Sequence, residues 1–229
     1  MRVRFIALFL FGFLLSVPIL GCGSESTKSG PAKVGDTCEK VDPATPKPDL
    51  QRLSAPTQKL PNGSVWNLEF KTNCGDFTVQ VDSSISPNTA SSIVALAKSG
   101  FYDGLSFHRL VPGFVIQGGD PAGTGNGGPG YKTVDKPAAA TLYSRGVVAM
   151  AKTGAEPAGT SGSQFFIVTG DAAQLPPDYA VLGKVTSGIT TADLISSQTI
   201  DQSQSMGGAA DGPPKEPIVI ESVKVSRVS

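Results

Sequence analysis

The sequence predicts a mainly β domain, a barrel of short strands whose ends are plugged by two helices. Three observations lead there. Gly and Pro, 27 and 18 of 229 residues, make up about 20% of the chain against roughly 12% in average usage, too much punctuation for a helix bundle. Apolar and polar residues alternate over short runs, the period of a half-buried strand. Apolar stripes at helical spacing occur at only two places.

Taken in order, residues 64–70 (SVWNLEF) and 77–82 (FTVQVD) flank the turn Asn73-Cys74-Gly75-Asp76. Phe77, Val79 and Val81 share one face, which predicts a β-hairpin. Ser86-Pro87 starts a helix, with Ser as N-cap and Pro as the first helical residue. Ala90, Ile93, Val94 and Ala97 form its stripe, and Gly100 ends it as a left-handed cap. Residues 106–120 (SFHRLVPGFVIQGGD) read as strand, turn and strand, with one permanent charge in the middle, Arg109. A glycine-rich loop follows at 122–130. Further strands are expected at 146–151, 163–170 (SQFFIVTG), 180–185 and 218–225 (IVIESVKV), and a second helix at 190–198 on Ala192, Leu194 and Ile195.

Residues 1–21 read as an export signal rather than as part of the fold. Arg2 and Arg4 precede an apolar run that Gly12, Ser16 and Pro18 interrupt and that is shorter than the ~20 residues of a spanning helix. The run ends in Ile19-Leu20-Gly21-Cys22, which resembles a bacterial lipobox. Diacylation of Cys22 would then anchor an exported protein to the cell membrane with its domain on the extracytoplasmic side. Residues 22–60 are rich in Pro and Ser without an apolar period and read as a flexible tether, leaving 61–229 as the domain. Cys38 and Cys74 remain as an even pair in an oxidising compartment. A disulfide between them would pin the end of the tether to the domain, but whether they pair is open at this level.

Several function classes are disfavoured. With 19 basic and 19 acidic residues and no polybasic block, the chain has no electrostatic footprint for nucleic acid. Gly123-Thr124-Gly125-Asn126-Gly127-Gly128 matches a dinucleotide fingerprint in form, yet Pro129-Gly130 follows where that motif needs a helix. There is no P-loop and no nucleophile elbow. His108 is the only histidine, and Arg109 beside it disfavours the protonated form, so it reads more readily as a structural residue than as a base. A hydrolase is the runner-up enzyme class only by default. One His and widely spaced Cys provide no zinc cluster. Asn62-Gly63-Ser64 fits a glycosylation sequon by pattern alone.

FHRLVPGFVIQGGD, followed by GTGNGGPGY, VVAMA and GSQFFIV, resembles the cyclophilin family of peptidyl-prolyl cis-trans isomerases, in order and in spacing, over about residues 66–225. The short connection at 100–104 is similar to that of compact bacterial members, and with the lipobox it suggests a bacterial lipoprotein form. The resemblance implies a closed eight-stranded antiparallel β-barrel capped by two α-helices. It makes Arg109 the catalytic arginine, with Phe114 and Gln117 beside it in the catalytic set. Val115, Phe166 and Leu175 would complete the proline pocket, with Tyr179 in its wall. Gly125, Ala151, Lys152, Thr153 and Gln164 would flank the peptide groove. Gln174 stands where many members carry Trp, and Tyr179 where they carry His, so tight binding of cyclosporin is not expected. Val115 replaces a frequent Met.

These residue types suit amide rotation. No bond breaks, so neither metal nor cofactor is called for; the barrier of ~18–20 kcal/mol reflects lost conjugation of the nitrogen lone pair. As the prolyl nitrogen becomes pyramidal, an always-protonated Arg109 can donate to it, with Gln117 orienting the guanidinium and the aromatic pocket excluding water. The expected partners are proline-containing segments of unfolded or folding proteins, and the membrane through Cys22, with the protein acting as a monomer. The alternative is a peptide-binding chaperone or adaptor that uses the same groove without need for turnover.

Overall fold

The computed structural model describes residues 37–205 and 210–228. The expected signal, the lipidation site Cys22 and the start of the tether lie outside the described residues.

β1 (Val65–Thr72) and β2 (Gly75–Asp82) form the expected hairpin, in unbroken register from Val65 opposite Asp82 to Thr72 opposite Gly75. α1 (Pro87–Lys98) begins at the expected proline, but the Ser86 side chain makes no cap bond. Its place is taken by a distant carboxylate: Asp135 accepts from the backbone N–H of Thr89 at 2.6 Å, which satisfies a free donor and complements the helix dipole.

Eight further strands follow α1 in turn. They are β3 (Phe107–Val111), β4 (Val115–Gly118), β5 (Thr133–Val134), β6 (Tyr143–Ser144), β7 (Val147–Met150), β8 (Thr160–Ser161), β9 (Phe165–Val168) and β10 (Ala172–Ala173). A ninth, β11 (Val181–Ser187), leads into α2 (Ile189–Ser196), and β12 (Ile220–Arg227) ends the fold.

Eight of these strands form one antiparallel curled sheet in the order β12-β1-β2-β11-β7-β9-β4-β3. The expected closed barrel is corrected here to an open half-barrel. The outer strands β3 and β12 do not run as a ladder; a bridge between Ser106 and Val219, with Phe107 N–H donating to Ile218 O at 2.9 Å, ties only their ends. Further along β3 the edge is already taken, because Leu110 exchanges backbone hydrogen bonds with Gly212 (2.8 and 3.2 Å).

Strand alternation sorts side chains into two apolar clusters. Phe165 and Ile167 of β9 point into the curl, with Phe70, Phe77, Tyr102 and Phe107. Phe166 and Val168 point the other way, onto Val115, Tyr143, Ala149 and Ala173. Both faces of β9 are therefore buried, which explains its unbroken apolar run.

The segment expected to be a flexible tether up to residue 60 lies on the domain from Cys38 onward. Cys38 and Cys74 are joined by a disulfide. Lys47 N–H donates to Pro121 O and Leu53 N–H to Pro129 O, on either side of a short 3-10 turn, Pro48–Arg52. Leu50, Leu53 and Leu60 pack on the core. Gly130 lets the strap pass: a Cβ there would lie 2.5 Å from Gln51 O. Composition underestimated this segment because irregularly spaced leucines have no period, and its backbone groups are satisfied by domain loops rather than by its own structure.

Candidate active site

The site is built from one row of paired residues. Across β3, β4, β9 and β7, Arg109 lies opposite Gln117, Gln117 opposite Phe166, and Phe166 opposite Ala149. Directly opposed residues project to the same face, so a guanidinium, an amide and an aromatic ring stand side by side on the outer face of the curl. The tight turn from Val111 to Phe114, closed by Phe114 N–H donating to Val111 O at 3.0 Å, swings the Phe114 ring to the same side.

Together they border a cavity of about 360 Å³. Its apolar wall is Phe114, Val115, Phe166, Leu175 and the ring of Tyr179. Phe166 meets Tyr179 edge to face at 5.4 Å, and Tyr179 is held in turn by Tyr143, whose hydroxyl donates to Tyr179 O and accepts from Tyr179 N–H. The polar side is Arg109, Gln117, His108 and Asp211.

A chain of hydrogen bonds organises that polar side. Asp211 accepts from Arg109 Nε and Nη2, both at 2.7 Å, and Gln117 Oε1 accepts from Nη1 at 3.1 Å. Gln117 Nε2 donates to Gln164 Oε1 at 2.9 Å, and Gln164 Nε2 donates to the carbonyls of Gly125 and Gly127. The glycine loop is held from its other side by buried Asp120, which accepts from the N–H groups of Ala122, Thr124 and Gly125. This wrapping accounts for the fingerprint-like glycines: a Cβ on Gly127 would fall 1.9 Å from Asp120 Oδ1.

Electrostatics follow from burial and pairing. The hydrogen bonds it donates to Asp211 raise the Arg109 pKa further above its ordinary value, so the guanidinium stays charged. Burial, offset by Asp120 and reinforced by Arg109, lowers the pKa of His108. Neither His108 ring nitrogen has a hydrogen-bond partner among the described residues. The Lys152 side chain is 3% exposed and paired with Asp178 at 2.6 Å.

Ten of the twelve residues singled out from sequence border this cavity: Arg109, Phe114 and Gln117; Val115, Phe166 and Leu175; and Gly125, Ala151, Lys152 and Tyr179. Thr153 and Gln164 border a smaller adjoining cavity of about 110 Å³, which Gln117, Gly125, Ala151 and Lys152 share.

The model of the family described as "Cyclophilin type peptidyl-prolyl cis-trans isomerase/CLD" matches residues 67–225. The chain belongs to the cyclophilin family. Among relatives of this cyclophilin, the "Probable peptidyl-prolyl cis-trans isomerase A" of Mycobacterium leprae is 37% identical over 171 residues, covering 68% of this chain and 89% of the relative. The "Peptidyl-prolyl cis-trans isomerase" of Helicobacter pylori (strain ATCC 700392 / 26695) is 41% identical over 137 residues, 58% of this chain and 82% of its own. The "Peptidyl-prolyl cis-trans isomerase CYP65" of Arabidopsis thaliana is 35% identical over 179 residues, and the match takes in 76% of this chain but only 29% of that longer protein. A crystal structure of a Cryptosporidium parvum cyclophilin type peptidyl-prolyl cis-trans isomerase superposes with a TM-score of 0.63 at 32% identity, covering 71% of this chain and 98% of that one. The same protein has been crystallised in the presence of the dipeptide Ala-Pro.

Two residues of the cyclophilin site escaped the sequence reading. His108 reads from sequence as a structural residue rather than as a base; strand alternation would turn it away from Arg109, but the register of β3 is irregular between Phe107 and Arg109 and His108 borders the cavity. Asp211 carried no signal, because it sits in a loop 102 residues from the arginine it pairs with. Gln174, at the position where a Trp is frequent, is exposed.

Proposed function

We propose that this peptidyl-prolyl cis-trans isomerase acts on X-Pro bonds of exported proteins, as a monomer held at the extracytoplasmic face of a membrane by lipid on Cys22. The observation that carries the catalytic part is the position of Arg109. Its guanidinium stands at the rim of an apolar cavity, and three of its five N–H donors are committed to Asp211 and Gln117. One donor on each terminal nitrogen remains for substrate.

The proline ring enters between Phe114, Phe166 and Leu175, while Ala151, Gly125 and Gln164 border the path of the extended chain. Rotation brings the prolyl nitrogen from planar to pyramidal, and Arg109 donates to the lone pair that appears only in that twisted state. A hydrogen bond made only there lowers the barrier rather than merely tightening binding, and it is stronger where water is excluded. Two poised donors favour turnover over passive holding, which needs only the apolar wall.

Two experiments test the proposal. Exchange spectroscopy on a peptide with one X-Pro bond should show faster cis/trans interconversion with catalytic amounts of protein; an unchanged rate would refute the catalytic reading. Mass spectrometry of the mature N-terminus should find Cys22 first and diacylated, and a chain beginning elsewhere would remove the anchor.

A further inference from the structure

We infer that Asp211 is a positioning residue for the reaction: it sets the plane of the Arg109 guanidinium so that the two remaining donors face the cavity. The inference rests on the isomerase reading of the site. The outer edge of β3 is covered by the segment that carries Asp211. Leu110 exchanges both backbone hydrogen bonds with Gly212, and Arg109 and Asp211 are each one residue from that pair, so both side chains emerge on the same face, diagonally across it. The Asp211 segment is held in turn: Ser205 Oγ donates to Asp211 O at 3.0 Å, and Asp201 N–H to Pro213 O at 2.8 Å. Gly212 has little room beyond hydrogen, since a Cβ would meet Ile200 Cγ2 at 3.0 Å and Ser205 Cα at 3.3 Å.

The contact geometry says what this mounting accomplishes. Arginine has a long, flexible stem but a rigid fork. Two parallel bonds from Nε and Nη2 to one carboxylate define the plane of the fork. Gln117 takes one hydrogen of Nη1 from a different strand. The pair is only partly exposed, 29% for Arg109 and 20% for Asp211, so solvent screens it less than a surface pair. Here the carboxylate occupies the two donors on one side and leaves the cavity side open.

The test measures kcat and KM for an X-Pro peptide with wild type, Asp211→Ala, Asp211→Asn and Arg109→Ala/Asp211→Ala. Asp211→Ala should lower kcat about tenfold or more, the equivalent of ~1.4 kcal/mol of transition-state stabilisation, with KM and the thermal midpoint little changed. Asp211→Asn keeps an oxygen for Nε–H and should recover activity to within about threefold of wild type. On the Arg109→Ala background the aspartate should no longer matter. Wild-type kcat in Asp211→Ala, failure of Asn to rescue, or a further loss on the Arg109→Ala background would each overturn the inference. A measurement on the unaltered protein guards against a variant that does not fold: the Arg109 Nε–H proton should exchange slowly with solvent by NMR, and exchange as fast as in an exposed arginine would overturn the clamp. If the wild type itself does not accelerate isomerisation, the isomerase reading fails, and slow Nε–H exchange would show the clamp to be structural only.

Discussion

Replacing Cys38 with serine should cost this protein stability without costing it activity. The Cys38–Cys74 bond joins residues 36 apart in sequence. For a closed loop of that length, the chain-entropy account assigns the unfolded state about 13 cal/mol/K less freedom, or about 4 kcal/mol at 25 °C. The substitution is otherwise mild, because Cys38 is half-buried and Cys74 stays as a buried thiol, a small hydrophobe in that state. At ~2–4 °C per kcal/mol for a chain of this size, the thermal midpoint should fall by about 8–15 °C. Activity measured well below the midpoint should not change. The strap reaches Pro121 and Pro129 at the two ends of the glycine loop, but Asp120 and Gln164 hold that loop from inside the domain. The assay is thermal unfolding followed through Trp66 fluorescence, paired with isomerase turnover in the cold. A drop of less than about 3 °C would refute the loop-closure reasoning, and a parallel fall in kcat/KM would refute the separation of strap from site.

Two further expectations follow from burial. Phe166 is 5% exposed and packs on Tyr143 and Tyr179, so Phe166→Ala should destabilise the fold by about 3 kcal/mol or more in chemical denaturation and raise KM for proline peptides; Phe166→Leu should regain most of the stability. His108 is the only histidine, and burial lowers its pKa. The unfolded chain therefore takes up a proton near pH 6.5 while the folded one does not. Stability should fall as pH drops below about 6.5, by up to ~1.4 kcal/mol per pH unit, and be flat just above it. Urea titrations between pH 5 and 8 check this; the same slope in His108→Gln would assign it to other groups.

What could be read from sequence was carried by period and by local signals. The β1–β2 hairpin follows from alternation around Cys74-Gly75, and α1 from Pro87 with its stripe. Arg109, Gln117 and Phe166 came together through the resemblance, and the register of β3, β4 and β9 shows why they meet. Long-range pairing was out of reach. Ser86 had the residue type of a cap, but Asp135 lies closer to the donors. Asp211 depends on which segment covers the edge of β3. The open sheet arises from that same event, since Gly212 occupies the edge that a closed ladder would need. The docked strap was invisible because three irregularly spaced leucines look like linker.

The most direct test of the account is the rate of X-Pro isomerisation with wild type and Arg109→Ala, each shown to be folded. Loss of a donor aimed at the transition state costs about 10²–10³-fold in comparable sites, and the account predicts a fall in kcat/KM of that order with the cavity and thermal midpoint intact. Wild-type turnover by a folded Arg109→Ala protein would contradict it.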